Sequence, residues 1–417
     1  MRRVLLVTYD FPPVGGSGVQ RISKFAKYLP RFGWQPIVLT SRRGRMGPQD
    51  RTLLADLGEP EIHRTIAPDP YRWLASLGRR LSDRPASHPR GLHGNRLGPW
   101  HPAAWLVPDG KLPWLPFGVH WALKHRARAC DAVVSTVPTP TAAILGSLIS
   151  RAWRVPHIID YRDPWTGGFY LPRRFSLLQH LEAAWERRIL TGAAAACVVP
   201  GVLESLPDVD TPIRLIHNGY DETDFDEVTP TRADGDFVIA HVGILWRERD
   251  LAPLIGACGL LRDQLPEVAA RLHFIQIGRI DRHVATQIQQ LGATVRASAH
   301  PSVSHREAIG RMLAADLLYL PTSHDHVPGK TYEYLRSDTP ILALGGRHSH
   351  LAKLLDETGG GLVVNHSDQQ AIAHLIAGSV NGARPFPPVN QARLTQFSRE
   401  AAARALASLL DDVGRAR

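Results

Sequence analysis

The chain has 417 residues, of which 44% are hydrophobic and 21% are charged. This composition is typical of a globular protein and excludes a chain that is disordered over most of its length. The length is large for one hydrophobic core and suits two domains. Three scattered cysteines, Cys130, Cys197 and Cys258, lack the spacing of a metal site; they argue against a disulfide scaffold and indicate a cytoplasmic protein.

The formal net charge of +10 is concentrated in one segment. From Tyr71 to Cys130 there are ten Lys or Arg residues and two Asp residues, so this segment alone has a net charge of +8. Such a segment indicates an anionic partner, for example a membrane surface, or else a solvated arginine-rich face. Within it, residues 69–84 show apolar side chains at helical spacing among arginines, which is typical of a helix lying on an anionic bilayer or packed on the N-terminal domain.

Short apolar runs alternate with helical patterns along the first half of the chain. Apolar residues recur at helical spacing between the first two runs, and Pro30 and Gly33 are expected to end that helix. Strands are predicted over Arg3–Thr8, Pro36–Thr40, Glu61–Ile66, Ala132–Thr136, His157–Asp160, Ala194–Val199 and Ile213–Ile216.

The second half repeats the alternation. Strands are predicted over Phe237–Val242, Leu272–Ile277, Asp316–Leu320, Pro340–Leu344 and Gly361–Val364. Helices are predicted over Leu251–Leu261, Arg282–Leu291, His305–Ala314, Lys330–Arg336 and His348–Glu357. This alternation predicts an α/β fold with parallel sheets covered on both faces, in two doubly wound domains.

The domain boundaries follow from composition. The polar, acidic segment 216–236 is rich in turn-forming residues and is interpreted as a linker. It separates an N-terminal domain, 1–215, from a C-terminal domain, 237–388. Residues 389–417 are interpreted as a C-terminal helical segment that can cross back to the N-terminal domain.

A glycine-rich loop joins the first strand to the first helix. Gly15 and Gly16 open it, but after Gly16-Ser17-Gly18 the third glycine of the dinucleotide-binding pattern is missing, and no Walker A lysine follows. The loop can bring its backbone close to a phosphate, or it can be a tight turn only. Taken alone, the loop favours the turn.

A second candidate phosphate site lies in the segment "LPTSHDHVPGKTYEYLRSDTPILAL". Lys330 stands at a predicted helix N-terminus, where its charge and the helix dipole suit a diphosphate. Glu333, one turn later, can accept hydrogen bonds from vicinal hydroxyls such as those of a ribose. Asp325 lies on the preceding loop. Glu333 alone fits a surface salt bridge equally well, but the three residues together at the end of a strand predict a ligand site.

These residues resemble glycosyltransferase family 4, which has the GT-B fold. Asp325 and Glu333 stand at the spacing of the family's Glu-x7-Glu pair, with the first residue one carbon shorter. The resemblance extends over nearly the whole chain except about residues 41–100. The matching segments are "DFPPVGGSGVQRISKFAKYLPRFGWQPIVLT", "VPDGKLPW", "IIDYRDPW", "IHNGYDETDF", "VGILWRERDLAPLIGA" and "VPGKTYEYLRSDTPILAL".

The resemblance implies a retaining glycosyltransferase with two Rossmann-like domains facing a central cleft. It implies transfer from a UDP- or GDP-sugar to a glycan or lipid-linked acceptor in bacterial surface-polysaccharide or glycolipid synthesis, without a cofactor or metal ion. The catalytic residues it implies are Asp325, Lys330 and Arg249. The donor-binding residues are Gly15, Gly16, Gly243, Arg247, Arg249, Lys330, Thr331 and Glu333, and Arg247 can replace Arg249 at the diphosphate. The acceptor-side residues are Asp160, Arg162, Asp163 and Thr139.

Two positions depart from the family pattern. Many members have a Lys shortly after the donor-loop arginine, where this chain has Leu251, so Lys330 is expected to take that role. Many members also have a His near the segment "STVPTPTAAIL", which contains no His here but has Thr139 and Thr141. The chemistry on the acceptor side is therefore open.

Parts of the sequence are also compatible with other functions. An epimerase on the same fold would need acid–base groups and no acceptor site. An RNA-binding protein would use the basic segment, but no interleaved aromatic platform supports it, and we expect no nucleic-acid partner.

Asp160, Arg162 and Asp163 fit a loop-fixing ion pair as well as an acceptor site. The pair Asp208 and Asp210 imitates a metal motif, but it lies in a proline-flanked loop and we do not interpret it as one.

Overall fold

The fold is described from a computed structural model covering residues 1–15, 17–42, 52–68, 105–126, 130–167, 174–232, 237–323, 325 and 327–415. The chain forms two compact units. Unit 1 comprises Met1–His217 and Arg399–Arg417, and unit 2 comprises Asn218–Ser398. Within the described residues, no helix combines the length and the apolar character needed to cross a membrane. The amphipathic helix predicted at 69–84 lies outside the described residues.

Unit 1 contains a seven-stranded parallel sheet in the order β3-β2-β1-β4-β5-β6-β7. The seven predicted strands are confirmed to within two residues at each end. The strands are β1 Arg2–Val7, β2 Trp34–Ser41, β3 Glu61–Thr65, β4 Ala132–Val137, β5 His157–Tyr161, β6 Ala195–Val198 and β7 Ile213–Leu215. The central strands are buried on both faces because helices cover both sides of the sheet.

The helices of unit 1 connect these strands. They are α1 Ser17–Tyr28, α2 Thr52–Ala55, α3 Leu115–Lys124, α4 Pro140–Trp153, α5 Ser176–Thr191 and the C-terminal helix Arg399–Arg415, with 3-10 turns at Leu29–Phe32, Leu112–Trp114 and Leu203–Ser205. The predicted end of α1 is confirmed. After Tyr28 the chain tightens into a 3-10 turn and Gly33 closes it with φ of 83°, a left-handed conformation that favours glycine.

The C-terminal helix belongs to the core of unit 1. Its buried residues Ala403 and Leu406 lie in the same hydrophobic cluster as Ile22 and Phe25 of α1. Asp411 accepts a hydrogen bond from Nε1 of Trp34 at 2.8 Å. The last segment of the chain is therefore part of the N-terminal unit.

Unit 2 contains a six-stranded parallel sheet in the order β10-β9-β8-β11-β12-β13. Its strands are β8 Phe237–Val242, β9 Leu272–Ile277, β10 Arg296–His300, β11 Leu317–Pro321, β12 Ile341–Leu344 and β13 Gly361–Val364. Its helices are α6 Ala252–Gln264, α7 Pro266–Arg271, α8 Arg282–Gly292, α9 His305–Leu313, α10 Lys330–Arg336, α11 His350–Thr358, α12 Gln369–Val380 and α13 Gln391–Leu394, with 3-10 turns at Glu222–Asp224 and Thr395–Phe397.

The five predicted strands of unit 2 are confirmed, whereas β10 was missed. Its sequence, Arg-Ala-Ser-Ala-His, has no apolar run because it is an edge strand that is largely exposed or half-buried. The described residues of the predicted linker from Asn218 onward lie in unit 2. Tyr220 is buried there and pairs with Ser398, so the two points where the chain passes between the units lie side by side.

Candidate functional site

The sheet of unit 2 reverses its strand order between β8 and β11, which are neighbours. At such a switch point the loops after the two strands run in opposite directions and leave a crevice where α/β proteins bind ligands. The loop 243–251 follows β8, and the loop 322–329 follows β11. The predicted donor-site residues of this unit lie on these loops and on α10, so the fold brings one group from each side to the same edge.

Lys330 and Gly243 meet at this edge. Lys330 is the first residue of α10, and a Cβ atom added to Gly243 would lie 2.5 Å from its Nζ atom. Gly243 also has φ of 134°, which side chains other than glycine rarely adopt. Glycine at position 243 therefore gives room to the lysine amine.

A buried relay holds the Lys330 amine. Nζ of Lys330 lies 2.6 Å from Nε2 of His241, and Nδ1 of His241 lies 2.7 Å from Oε1 of Gln276. Nε2 of Gln276 donates to the carbonyl oxygen of Gly243 at 2.8 Å. Because the amide nitrogen of Gln276 is thus engaged, its oxygen faces His241 and requires a proton on Nδ1. Nε2 of His241 is then the acceptor for Lys330.

The electrostatics of the relay favour neutral groups. Burial lowers the pKa of His241 well below its usual value, and the charges of Lys330 and Arg249 lower it further. Burial also lowers the pKa of Lys330 well below 10.5, with Arg249 acting in the same direction and Glu333 opposing it. A negative charge beside Lys330 and Arg249 would oppose the burial and the repulsion that lower the pKa of Lys330, so the arrangement can stabilise an anion placed there.

The β8 loop presents Arg249. Its guanidinium lies 4.5 Å from the ring centroid of Trp246, and its backbone N–H donates to the Trp246 carbonyl at 2.7 Å. The backbone N–H of Arg247 donates to Asp281, which also caps the N-terminus of α8. The loop is thus fixed at two points. Arg249 is the arginine whose charge reaches both Lys330 and His241.

Glu333 lies one turn after Lys330 on α10. Its Oε1 is 3.8 Å from Nε2 of His305, which in turn lies 3.1 Å from Oδ2 of Asp224. Thr331 is fully buried, and its hydroxyl has no hydrogen-bond partner among the described residues. The predicted donor contact of Thr331 remains a prediction.

Asp325 lies on the exposed part of the β11 loop. Its Oδ1 accepts a hydrogen bond at 2.8 Å from the backbone N–H of His350, the first residue of α11. The carboxylate therefore ties the β11 loop to the helix after β12. Its predicted contact with the transferred sugar is not tested by this geometry.

In unit 1, Asp160 and Arg21 form a fully buried ion pair at the end of β5. Nε of Arg21 lies 3.0 Å from Oδ1 of Asp160, and NH1 donates to the His217 carbonyl at 2.7 Å. The hydroxyl of Thr136 also donates to Asp160 at 3.3 Å. This geometry supports a positioning role for Asp160, which joins α1 to the sheet.

The remaining acceptor-side residues lie on neighbouring loops. The guanidinium of Arg162 lies beside Gly18 in the first turn of α1, 3.3 Å from the position of an added Cβ, and Asp163 follows it after the end of β5. Thr139 precedes α4 without capping it through its side chain. Gly15 is half-buried just before α1, whereas Gly16 lies outside the described residues.

A buried carboxylate takes over the capping of α4. Asp109, from the segment "VPDGKLPW", accepts hydrogen bonds from the backbone N–H and the hydroxyl of Thr141 at 3.0 and 2.5 Å. Burial raises the pKa of Asp109, and the bonds from Thr141 oppose that shift. Sequence reasoning missed this role because the two residues are 32 positions apart.

Sequence reasoning also missed His241, Gln276 and His305. A signal existed for the first two, since each is a polar residue one position before the end of a buried strand. They are direct partners in the β8–β9 register. Their pairing depends on that register, which the sequence pattern does not specify.

Comparison with known proteins gives the fold. No protein-family model matches the chain, and no curated protein matches its sequence. Solved structures do match. One is a sucrose-phosphate synthase from Thermosynechococcus elongatus, with a TM-score of 0.64, 15% identity and 100% of both chains covered. Another is HepE from Anabaena in complex with UDP and glucose, with a TM-score of 0.57, 15% identity, and 100% of this chain and 98% of that chain covered.

A third similar structure is a trehalose-phosphate synthase from Burkholderia xenovorans in complex with glucose-6-phosphate. Its TM-score is 0.62 at 11% identity, with 99% of this chain and 100% of that chain covered. These proteins are GT-B glycosyltransferases, and the present chain has the same GT-B fold, with two α/β units built on parallel sheets of seven and six strands. The expected fold class is confirmed.

Proposed function

We propose that this chain, which has the GT-B fold, is a glycosyltransferase that moves a sugar from a nucleoside-diphosphate sugar to a hydroxyl group of a glycan or lipid-linked acceptor. One observation supports this proposal most strongly. Lys330 and Arg249 come from opposite sides of the switch point in unit 2, and the charge of Arg249 reaches the Lys330 amine where it rests against Gly243. Two such cations, beside a glycine that leaves room at position 243, suit a diphosphate.

The physical demand of the reaction is the charge that develops on the departing diphosphate. Positioned cations stabilise that charge without the cost of reorganising water. In this proposal Lys330 and Arg249 neutralise it, Glu333 holds the ribose hydroxyls and Asp325 orients the transferred sugar. The departing phosphate accepts the proton of the acceptor hydroxyl on the same face of the sugar, so transfer retains the anomeric configuration and needs no metal ion.

The acceptor side is assigned to unit 1. Arg162, Asp163 and Thr139 lie on the loops that follow β5 and β4, and we propose that they position the acceptor. Asp160 acts through Arg21 by fixing α1, and with it the glycine loop. Gly15 and Gly16 are proposed to let the donor lie against backbone.

We propose a UDP- or GDP-sugar as the donor. HepE has been solved with UDP-glucose, and this supports the choice of uridine nucleotides as the first to test. A role in bacterial surface-polysaccharide or glycolipid synthesis rests on the sequence resemblance. Association of residues 71–130 with a membrane remains a sequence prediction, because most of that segment lies outside the described residues.

The test is thermal unfolding in the presence of UDP, GDP and ADP, followed by a transfer assay. A ligand at about one hundred times its Kd adds about 2.7 kcal/mol to the unfolding free energy. One of the three nucleotides should therefore raise Tm by several degrees. Glu333→Gln should reduce that rise by weakening ribose binding about tenfold or more.

The matched control is Glu307→Gln, which removes a half-exposed carboxylate from α9 in the same unit. It should leave the nucleotide response unchanged. No rise of Tm with any nucleotide would contradict the donor site. Nucleotide binding without sugar transfer to any hydroxyl acceptor, and with epimerised donor as the product, would replace the transferase by an epimerase.

A further inference from the structure

Helix α5 buries two acidic side chains and exposes three large apolar ones, although Ile189 and Leu190 at its C-terminal end are buried in the ordinary way. Its two carboxylates, Glu182 and Glu186, are buried against unit 1. Three large apolar side chains point outward instead, with exposed fractions of 74% for Leu177, 45% for Leu181 and 38% for Trp185. These three residues are spaced four apart, so they form one stripe along the outer face of the helix. A surface helix of a globular protein normally has the opposite arrangement.

The inner face of α5 explains why the helix cannot turn over. Glu186 accepts hydrogen bonds from the backbone N–H of Thr166 at 3.0 Å and from the Thr166 hydroxyl. Oε2 of Glu182 lies 3.3 Å from Nε of the buried Arg174, and NH2 of Arg174 donates to the Pro108 carbonyl at 2.7 Å. If the helix were rotated by half a turn about its axis, these contacts would be lost. Thr166 and Arg174 would then face apolar side chains of the helix. The outward direction of the apolar stripe is therefore determined by the packing of unit 1.

The charged side chains exposed on α5 itself are cationic, whereas the loop that Arg187 contacts carries the exposed carboxylates Asp208 and Asp210. The exposed charged side chains of α5 are Arg187 and Arg188, since both glutamates point inward. Arg187 donates to the Asp208 carbonyl, which holds its guanidinium at the surface. On the neighbouring helix α4, Leu148 is 41% exposed and Arg151 is exposed as well.

A second exposed tryptophan lies near the beginning of α5. Trp105 is 57% exposed and its ring lies 5.6 Å from that of Phe175, the residue that precedes the helix. Tryptophan, leucine and arginine side chains together on one face are the composition of helices that lie at a membrane surface. Carboxylates, which an anionic surface repels, are absent from the outward face of α5 among the described residues.

We propose that the outer face of α5 docks on an anionic lipid bilayer, with Leu177, Leu181 and Trp185 inserted at the level of the headgroups and Arg187 and Arg188 facing lipid phosphates. This surface differs from the basic segment 71–130. It also needs no transferase activity, so its test is independent of the proposed function. The link between this surface and the acceptor rests on the proposed function. Arg174, beneath α5, donates to the Pro108 carbonyl, and the following residue, Asp109, caps the helix that begins after Thr139. The docking surface is thus connected to the proposed acceptor side. A lipid-borne acceptor would then be the substrate class that this geometry serves.

The test is co-sedimentation of the full chain with vesicles of phosphatidylcholine containing roughly one-third phosphatidylglycerol, at about 0.05 M and about 0.5 M salt. The wild-type chain should bind at low salt, and binding should weaken at high salt. The triple variant Leu177→Gln, Leu181→Gln, Trp185→Gln should lose binding by about tenfold or more, because the apolar contact area disappears. Far-UV circular dichroism should show that the triple variant folds.

The control variant is Ile66→Gln with Leu265→Gln, which removes exposed apolar side chains from other elements. It should bind vesicles like the wild type. Three results would overturn the proposal. In the first, the wild-type chain stays in the supernatant with vesicles at low salt. In the second, the triple variant binds as well as the wild type, which would move the contact to another surface such as 71–130. In the third, the wild type forms a dimer that the triple variant disperses, which would make a second copy the partner of α5.

Discussion

Binding of the donor should change the protonation state of Lys330. In the free protein, burial and Arg249 hold the pKa of Lys330 well below 10.5. A bound diphosphate places negative charge beside the amine and raises that pKa again. Between the two pKa values, binding therefore takes up a proton at Lys330. Affinity for the donor should fall as pH rises through this window.

The magnitude follows from linkage. Uptake of one full proton lowers the logarithm of the association constant by one for each pH unit, which is about 1.4 kcal/mol per unit. The charged or titratable groups that face the amine are His241, Arg249 and Glu333. Since burial also lowers the pKa of His241, protonation of His241 by the ligand would give the same sign, and a variant has to separate the two groups.

The assay is isothermal titration calorimetry with UDP-glucose in two buffers of different ionisation enthalpy, repeated over a range of pH. UDP-glucose is chosen because its diphosphate lacks the terminal phosphate ionisation near pKa 6 that UDP has. The difference between the two observed enthalpies gives the number of protons exchanged. A value that approaches one proton taken up is expected between the two pKa values of Lys330.

Two variants locate the proton. Lys330→Gln should bind UDP-glucose more weakly and should take up no proton in the pH range where the wild type does. His241→Gln should keep the uptake, because Lys330 is retained, although the window shifts when the acceptor of the relay changes. Release of protons by the wild type, or an affinity that rises with pH, would refute the reasoning. A constant affinity over the whole range would refute it as well.

Two further predictions concern unit 1. Asp160→Asn leaves the buried Arg21 without its counter-charge and should lower the free energy of unfolding by about 3–5 kcal/mol in urea titrations, whereas Asp412→Asn, in an exposed ion pair, should cost less than about 1 kcal/mol. Similar costs for the two variants would contradict this. Burial raises the pKa of Glu182 from 4.5 to about 7, so the native state binds its proton more tightly and stability should fall as pH rises through that window. Glu182→Gln should remove roughly 3 kcal/mol of that decline, measured by urea unfolding across pH, and an unchanged profile would show that another group is responsible.

Much of the fold was readable from local patterns. The strands of both sheets are short apolar runs, and their alternation with helical patterns requires parallel pairing, because each chain return has to cross a face of the sheet. Lys330 and Glu333 could be located at the start of a helix after a strand. The edge strand β10 could not be found, because its residues have no buried face to require an apolar run.

The partners of these residues were not readable from the sequence. Lys330 and His241 are 89 positions apart, and Arg21 and Asp160 are 139 positions apart. Each pair joins a helix to a strand that is distant in the chain, and the two meet because of the strand order, which a periodic pattern does not encode.

The buried face of helix α5 was likewise not predictable from the sequence. Its helical spacing would turn Leu177, Leu181 and Trp185 toward the core, but the network of Thr166 and Arg174 turns Glu182 and Glu186 inward instead. The sequence alone determined where strands and helices form, because hydrophobic periodicity acts within a few residues. The tertiary structure alone decided which buried charges meet and which face of a helix is exposed, because these depend on contacts between segments far apart in the chain.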